Sequence, residues 1–290
     1  MRPELRQAIE LLRKSDAESI DRALQLLHRT VLSFGMKVCG HREDAEDTVQ
    51  EVLFHSLPHL AKLDDPQALS AWLYTAARNR CLRNRSKASY RRAIALEDLL
   101  PSDTELNELL LADPGANPEK EAASRQDRRM LHEAVLRLPV PYRLVLVLHD
   151  MEELDTETVA RVLSLQAATV RVRLHRARLM VRQEMGRVLD EEQKRPKGRK
   201  KPVQRSAECR EIFSNLSDYL DGKLQPKTCD AMRRHIEGCP ACVAFIRDLK
   251  QAIDRCRSLE VCPDAAAPPV LRRLLTEEYL RLIKNSSAIL

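Results

Sequence analysis

The regular spacing of apolar residues is the feature that most constrains the fold of this chain. In one long stretch, Val170, Leu174, Ala177 and Val181 fall at i, i+4, i+7 and i+11, which places them on one face of an α-helix. Glycine accounts for only 7 of the 290 residues and aromatic residues for 3%. This composition disfavours sandwiches, barrels and glycine-rich phosphate-binding loops. The sequence therefore predicts an all-α protein.

Two polar segments interrupt the apolar pattern. Residues 97–122 are rich in acidic residues and proline, and residues 191–205 are rich in lysine and arginine. Because neither segment has enough apolar residues to bury a core, we expect both to be linkers. They divide the chain into three helical units, at 1–96, 123–190 and 206–290.

The basic residues outside the second linker are grouped into helix faces. The formal net charge of +6 arises mainly in the 191–205 linker, but no acidic residue occurs between Asp65 and Glu97 or between Glu157 and Glu184. A charged helix face is commonly only a solvated face. Two acid-free basic faces in one chain instead favour a nucleic-acid partner.

The second basic face lies in a helix-turn-helix pattern. A short helix is predicted from Thr156 to Leu163 with Asp155 as its N-cap, and a longer helix is predicted from about Ala167 after a turn at 164–166. In the longer helix, basic residues repeat the apolar spacing one residue later, at Arg171, His175, Arg178 and Arg182. This layout predicts binding to double-stranded DNA.

The cysteines predict a metal site in the last unit. All cysteines except Cys39 and Cys81 lie after residue 206, and His235, Cys239 and Cys242 form an H-x3-C-x2-C pattern. One imidazole and two thiolates at this spacing can share a tetrahedral zinc ion that needs a fourth ligand. Our first choice for that ligand is Cys209 and our second is Cys229.

The same cysteines also fit three further hypotheses. A thioredoxin-like CxxC would need a surrounding βαβ pattern, which the sequence lacks. A zinc deaminase would need H-x-E well separated from P-C-x-x-C. The cysteines could also be ordinary buried residues without a metal.

Four short motifs resemble extracytoplasmic-function (ECF) sigma factors. In chain order they are DAEDTVQE at 44–51, AWLYTAARN at 71–79, LPVPYR at 138–143 and TVRVRLHRAR at 169–178. The first two are similar to region 2 of that family, and the last two are similar to the start and the recognition helix of region 4. Two positions depart from the family pattern, since Arg83 replaces a usual acid and Ser164 replaces a usual glycine of the turn.

The resemblance implies roles for particular residues. Contact with the clamp of RNA polymerase is implied for Asp44, Glu46, Asp47, Gln50, Glu51 and Phe54. Contact with the −10 promoter element is implied for Asn79, Arg80, Arg83 and Arg85. Contact with the −35 element is implied for Thr169, Arg171, Arg173, His175 and Arg176.

The last unit resembles the zinc-binding anti-sigma domain over residues 209–250. The segment LSDYLDGKL at 216–224 is similar to that family and supports Cys209 as the first metal ligand. The resemblance implies one structural or regulatory zinc ion, held by Cys209, His235, Cys239 and Cys242, and an intramolecular contact with the sigma units. A final helix after Pro268 and Pro269 is expected to take part in that contact.

These observations predict a sigma factor that directs core RNA polymerase to promoter DNA and is modulated by its own zinc-binding domain in response to metal or redox state. The alternative is a metal- or redox-sensing helix-turn-helix regulator that does not join the polymerase. No catalytic residues are expected, because bond formation belongs to the polymerase. Without a long apolar segment or an N-terminal signal, we expect a cytoplasmic protein with no membrane partner.

Overall fold

The computed structural model describes residues 2–60, 65–83, 99–100, 105, 125–192, 207–262 and 265–287. Within these ranges every long regular element is a helix and no strand occurs, which confirms the predicted all-α class. None of the described helices combines the length and apolar character that crossing a membrane would require. The predicted boundaries of the three helical units stay predictions, and most of both predicted linkers lies outside the described residues.

The described chain contains twelve helices, which we number in chain order. They are α1 (Pro3–Arg13), α2 (Ala17–Cys39), α3 (Arg42–Leu60), α4 (Pro66–Arg83), α5 (Arg125–Arg137), α6 (Val140–Leu146, followed by a π-helical turn at Val147–Met151), α7 (Thr156–Leu163), α8 (Ala167–Glu192), α9 (Ala207–Leu220), α10 (Pro226–Gly238), α11 (Pro240–Ser258) and α12 (Pro269–Ser287). They form two compact units, of which the first holds residues 1–89, 147–167 and 260–290 and the second holds 90–146 and 168–259.

The core of the first unit is built by α1 to α4. Helix α2 begins where the Asp16 side chain accepts a hydrogen bond from the Ser19 amide, and it ends at Gly40 in the left-handed conformation. Near its end, α2 packs closely on α3, because a Cβ at Gly35 would lie 3.0 Å from that of Ala45. Glycine at this position lets the two helices approach.

A buried polar network joins the segment after the π-helical turn to this core. The Glu152 carboxylate accepts hydrogen bonds from Lys37 Nζ at 2.7 Å and from the Tyr74 hydroxyl at 2.8 Å. Arg2 lies 3.3 Å from the same carboxylate. Lys37 and Glu152 are both buried. Burial lowers the pKa of Lys37 and raises the pKa of Tyr74. The carboxylate therefore provides the charge that compensates the buried ammonium group.

Helix α12 packs against α2 and α3 in the same unit. Leu275 and Tyr279 are buried, and the Arg272 guanidinium forms an ion pair with Asp21 on α2. Leu274, by contrast, is 49% exposed. An amphipathic helix therefore follows Pro268 as predicted, with its buried face against α2 and α3.

The second unit combines α5, α6 and α8 with α9 to α11. All four members of the predicted apolar stripe on α8 are buried, from Val170 to Val181. Between α9 and α11, the rings of Phe213 and Phe245 meet edge to face with centroids 5.0 Å apart. The unit thus has an apolar core on which the basic side chains of α8 are placed.

Candidate functional site

The exposed face of α3 carries part of the predicted polymerase-contacting set. Asp47, Gln50 and Phe54 are exposed, and Phe54 is one of the few large apolar side chains at the surface, with 45% of its area accessible. They follow one another at i, i+3 and i+7, so they share one helix face. Aromatic side chains are enriched in protein interfaces relative to the rest of the surface.

The other three predicted members of this set are half-buried or locally paired. Glu46 accepts a hydrogen bond from Arg42 at 2.7 Å, and Glu51 lies 2.5 Å from Arg80 on α4. Asp44 is half-buried in the first turn of α3, where its charge suits the helix N-terminus. The structure thus divides the acidic run between an open face and local ion pairs.

The predicted −10 residues lie at the end of α4. Asn79 is exposed, and its side-chain oxygen accepts hydrogen bonds from Arg78, the shorter one at 2.6 Å. Arg80 is the α4 partner of Glu51. The Arg83 side chain and the whole of Arg85 lie outside the described residues, so both assignments stay predictions.

The turn that follows α7 has the predicted local structure. Asp155 caps α7 by accepting a hydrogen bond from the Thr158 amide at 2.8 Å. Ser164 adopts the left-handed conformation, with φ of 55°, at the position where the family usually has glycine. A serine tolerates this conformation at modest cost, and α8 begins three residues later.

The predicted −35 residues on α8 fall into two groups. Arg171 is exposed, and Thr169, Arg173 and Arg176 are half-buried. His175, in contrast, is buried, and its Nδ1 lies 3.0 Å from the Ser217 hydroxyl on α9. The five DNA contacts stay predictions, but His175 is covered by α9 in this conformation.

Two arginines of the predicted basic face contact Asp221, which directly follows α9, and Asp248 on α11. Arg178 is fully buried and forms a bidentate pair with Asp221, at 2.9 and 3.0 Å. Arg182 lies 2.5 Å from Asp248, and its guanidinium carbon is 4.8 Å from the centre of the Phe245 ring. These contacts hold the C-terminal half of the basic face inside the second unit.

Sequence reasoning did not find Asp221, Asp248 or the Lys37–Glu152 pair. Asp221 lies within the segment similar to anti-sigma domains, and Asp248 follows the apolar run at 241–246 by two residues. Nothing in the sequence pairs these acids with bases more than 40 residues away, since the Arg178–Asp221 separation is 43 and the Arg182–Asp248 separation is 66. Their roles depend on tertiary contacts.

The H-x3-C-x2-C residues form a cluster that fits a metal ion. The ligand atoms of His235, Cys239 and Cys242 all lie within 4.8 Å of one another. Cys242 is buried, and its Sγ lies 3.6 Å from His235 Nε2. Helix α11 begins at Pro240 with Cys239 as N-cap, as predicted. One imidazole and two sulfurs are a donor set that suits zinc.

The two candidates for the fourth ligand differ in what the structure describes. Cys229 is half-buried on α10 and is not part of the three-residue cluster. Cys209 lies on α9, but its side chain is outside the described residues. The choice between them therefore stays a prediction in favour of Cys209.

The titration of His175 predicts a pH-dependent stability. Burial, together with Arg178 and Arg176, lowers the pKa of His175 to about 4 from the ordinary histidine value of 6.5. Between these two pH values the unfolded chain binds a proton that the folded chain does not. The free energy of unfolding should therefore fall by up to about 3 kcal/mol as the pH drops from about 6.5 to about 4.

A comparison of chemical denaturation curves checks this prediction. Because carboxylates are also protonated in acid, the measurement is the difference between the unmodified chain and a His175→Gln variant at each pH. We expect the variant to lose less stability on acidification. Parallel pH profiles for the two chains would contradict a buried neutral His175.

Three family models match the chain in order. Sigma-70 region 2 matches residues 23–91, and Sigma-70 region 4 matches residues 128–181. The family described as "Putative zinc-finger" matches residues 209–242, which begin at Cys209 and end at Cys242. The matched ranges contain α3, much of α8 and the metal cluster, respectively.

Curated relatives are similar to this chain over 57–62% of its length. The ECF RNA polymerase sigma factor SigW of Bacillus subtilis is 23% identical over 181 residues, which are 62% of this chain and 96% of that protein. The RNA polymerase sigma factor YlaC of the same organism is 26% identical over 60% of this chain and 96% of its own length. The ECF RNA polymerase sigma factor SigL of Mycobacterium tuberculosis is 29% identical over 57% of this chain and 90% of its own.

Proposed function

We propose that this chain is an RNA polymerase sigma factor of the sigma-70 family and that its C-terminal zinc-finger domain regulates it through the metal site. The sigma function is that of a non-enzymatic initiation factor, which recognises promoters for the polymerase. The observation that carries this conclusion is the presence of both sigma-70 regions in order. A plain helix-turn-helix regulator has no use for region 2, so the alternative is not favoured.

Polymerase binding is assigned to the open face of α3. Asp47, Gln50 and Phe54 are exposed and adjacent, and an exposed aromatic ring beside polar groups suits the centre of a protein interface. The rim of the same surface is assigned to Asp44, Glu46 and Glu51.

DNA contacts with the −10 element are assigned to Asn79, Arg80, Arg83 and Arg85. DNA contacts with the −35 element are assigned to Thr169, Arg171, Arg173, His175 and Arg176.

One zinc ion is proposed to be held by Cys209, His235, Cys239 and Cys242. The cluster of the last three supports this assignment, and the zinc-finger match that starts at Cys209 supports the fourth ligand. Bound zinc would cross-link the start of α9 to the start of α11. Zinc loss or thiol oxidation would remove this cross-link.

The metal ligands lie close in sequence to the residues that contact α8. Phe213 follows Cys209 by one helical turn, Phe245 follows Cys242 by one turn, and these two rings are in contact. Phe245 in turn lies against Arg182 of α8. This succession of contacts supports regulation in which the state of the metal site changes how α9 and α11 hold α8.

Substitution of the open α3 face tests the sigma function. We expect Asp47→Ala combined with Phe54→Ala to weaken binding to core RNA polymerase by about a thousandfold, because truncating interface anchors commonly costs about 2 kcal/mol each. The measurement is the dissociation constant of the full chain for purified core polymerase.

The matched control is His55→Ala, since His55 is also exposed on α3 but points about a quarter turn away from Phe54. Its affinity should stay within about twofold of the unmodified chain. An undiminished affinity of the double variant would remove the α3 face from the polymerase interface. If the unmodified chain fails to bind core polymerase, with or without bound zinc, the sigma function itself is contradicted.

A further inference from the structure

The acidic groups that contact the arginines of α8 resemble the phosphates of a nucleic-acid backbone. The basic face of α8 consists of Arg171, His175, Arg178 and Arg182, and we define the acidic pair as Asp221 and Asp248. We propose that the acidic pair occupies the positions of DNA phosphates on the basic face, so that the zinc-finger domain and double-stranded DNA compete for the same arginines. This inference rests on the proposed function and names the step that is regulated.

The geometry of the Arg178 contact supports the phosphate comparison. The guanidinium donates two parallel hydrogen bonds, one to each oxygen of Asp221, at 2.9 and 3.0 Å. Arginine binds phosphate with the same fork. While the Asp221 carboxylate accepts both of these hydrogen bonds, the same two donors of Arg178 are not available to a phosphate.

The Arg182 contact has the same character. Its Nε donates to Asp248 at 2.5 Å while the Phe245 ring lies beneath the guanidinium, 4.8 Å from ring centre to Cζ. Stacking on an aromatic ring orients the guanidinium plane. Only a tenth of the Arg182 side chain is accessible to solvent.

Coverage of α8 is confined to one part of the helix. Arg171 near its start is exposed, whereas His175 and Arg178 are buried and Arg182 is nearly so. N-terminal residues of a recognition helix reach base edges, and arginines farther along are available for phosphates that position the helix. The acidic pair thus removes positioning contacts and leaves base-reading residues in place.

The α3 face lacks such coverage in the part of the chain that the structure describes. Asp47, Gln50 and Phe54 remain exposed there. We therefore infer that the regulated step is DNA binding, and that core polymerase can bind while the basic face is held by the acidic pair.

Neutralising the acidic pair tests the competition. The full chain with Asp221→Asn and Asp248→Asn should bind a fluorescein-labelled mixed-sequence DNA duplex about tenfold more tightly than the unmodified chain. Freeing two phosphate contacts should also steepen the slope of log affinity against log salt by about 2, at about 0.9 for each contact. Affinity for core polymerase should not change.

A second double variant serves as the matched control. Asp230→Asn with Asp254→Asn removes the same charge from the same domain, but these acids are more than half exposed and pair with arginines of their own helices. Its affinity for the duplex should stay within about twofold of the unmodified chain. Equal gains in the two double variants would reduce the effect to net charge and overturn the competition.

Hydrogen exchange of the unmodified chain keeps the test open if the first variant fails to fold. Saturating duplex should protect amides of α8 and increase exchange in α9, because DNA displaces Ser217 and Asp221 from the basic face. Protection of α8 with unchanged α9 would overturn the proposal. Tighter core binding by the Asp221→Asn, Asp248→Asn chain would also overturn it, since the mask would then act on the polymerase step. Absence of core binding by every chain would instead contradict the sigma function.

Discussion

Replacing Glu152 with leucine is expected to lower the free energy of unfolding by about 3–5 kcal/mol, the usual effect of breaking a buried ion pair. The substitution leaves the Lys37 ammonium buried without its carboxylate partner and removes the acceptor of the Tyr74 hydroxyl. It also takes away the anion beside Arg2. The measurement is urea denaturation followed by helical circular dichroism.

A double substitution provides the control for this effect. Lys37→Met with Glu152→Leu removes both charges and keeps side chains of similar volume, so much of the lost stability should return. Tyr74→Phe removes only the hydroxyl and should cost about 1 kcal/mol. If the double variant is as unstable as Glu152→Leu alone, shape rather than the charge pair holds this site.

Removing the metal ligands is expected to have an effect of similar or larger size on the second unit. Serine at Cys239 and Cys242 leaves His235 without its sulfur partners, and structural zinc contributes on the order of 10 kcal/mol of binding free energy. The apolar contact of Phe213 with Phe245 remains and offsets part of this loss. We expect loss of bound zinc, loosening of α9 and α11, and tighter binding of double-stranded DNA.

Single cysteine variants separate the candidate ligands. Cys209→Ser should lose zinc, whereas Cys229→Ser should retain it, because Cys229 lies outside the cluster. Zinc content and duplex affinity are measured on the same full-length preparations. Loss of zinc with unchanged duplex affinity in the Cys239→Ser, Cys242→Ser chain would leave the zinc with a purely structural role.

The zinc experiment and the acidic-pair experiment test different parts of one mechanism. The first alters the metal site at the starts of α9 and α11, and the second alters only the contacts with α8. If both raise duplex affinity to the same level, the metal site acts through the acidic pair. If only the second does so, Asp221 and Asp248 mask α8 independently of the metal.

Local features of this protein could be predicted from the sequence. The apolar stripe on α8, the Asp155 cap and the turn at Ser164 all depend on residues within a few positions of one another. The cluster of His235, Cys239 and Cys242 likewise follows from short spacing across one helix junction. The order of the sigma motifs is also visible in the sequence, because each motif is contiguous.

Contacts between distant residues could not be predicted in this way. His175 and Arg171 belong to the same basic repeat on α8, yet α9 covers His175 while Arg171 is exposed. Glu152 is 115 residues from Lys37 in the chain. The sequence around each of these residues does not distinguish it from an ordinary charged residue on the surface.

The sequence by itself thus determined the helices, their caps, the spacing of the histidine and cysteines, and the resemblance to sigma factors. Helical periodicity and short motifs are local, so they are encoded within single segments. Only the tertiary structure decided which basic side chains are exposed and which are paired with Asp221 and Asp248. The physical reason is that the state of a charged group depends on what desolvates and compensates it, and those partners are brought together only by folding.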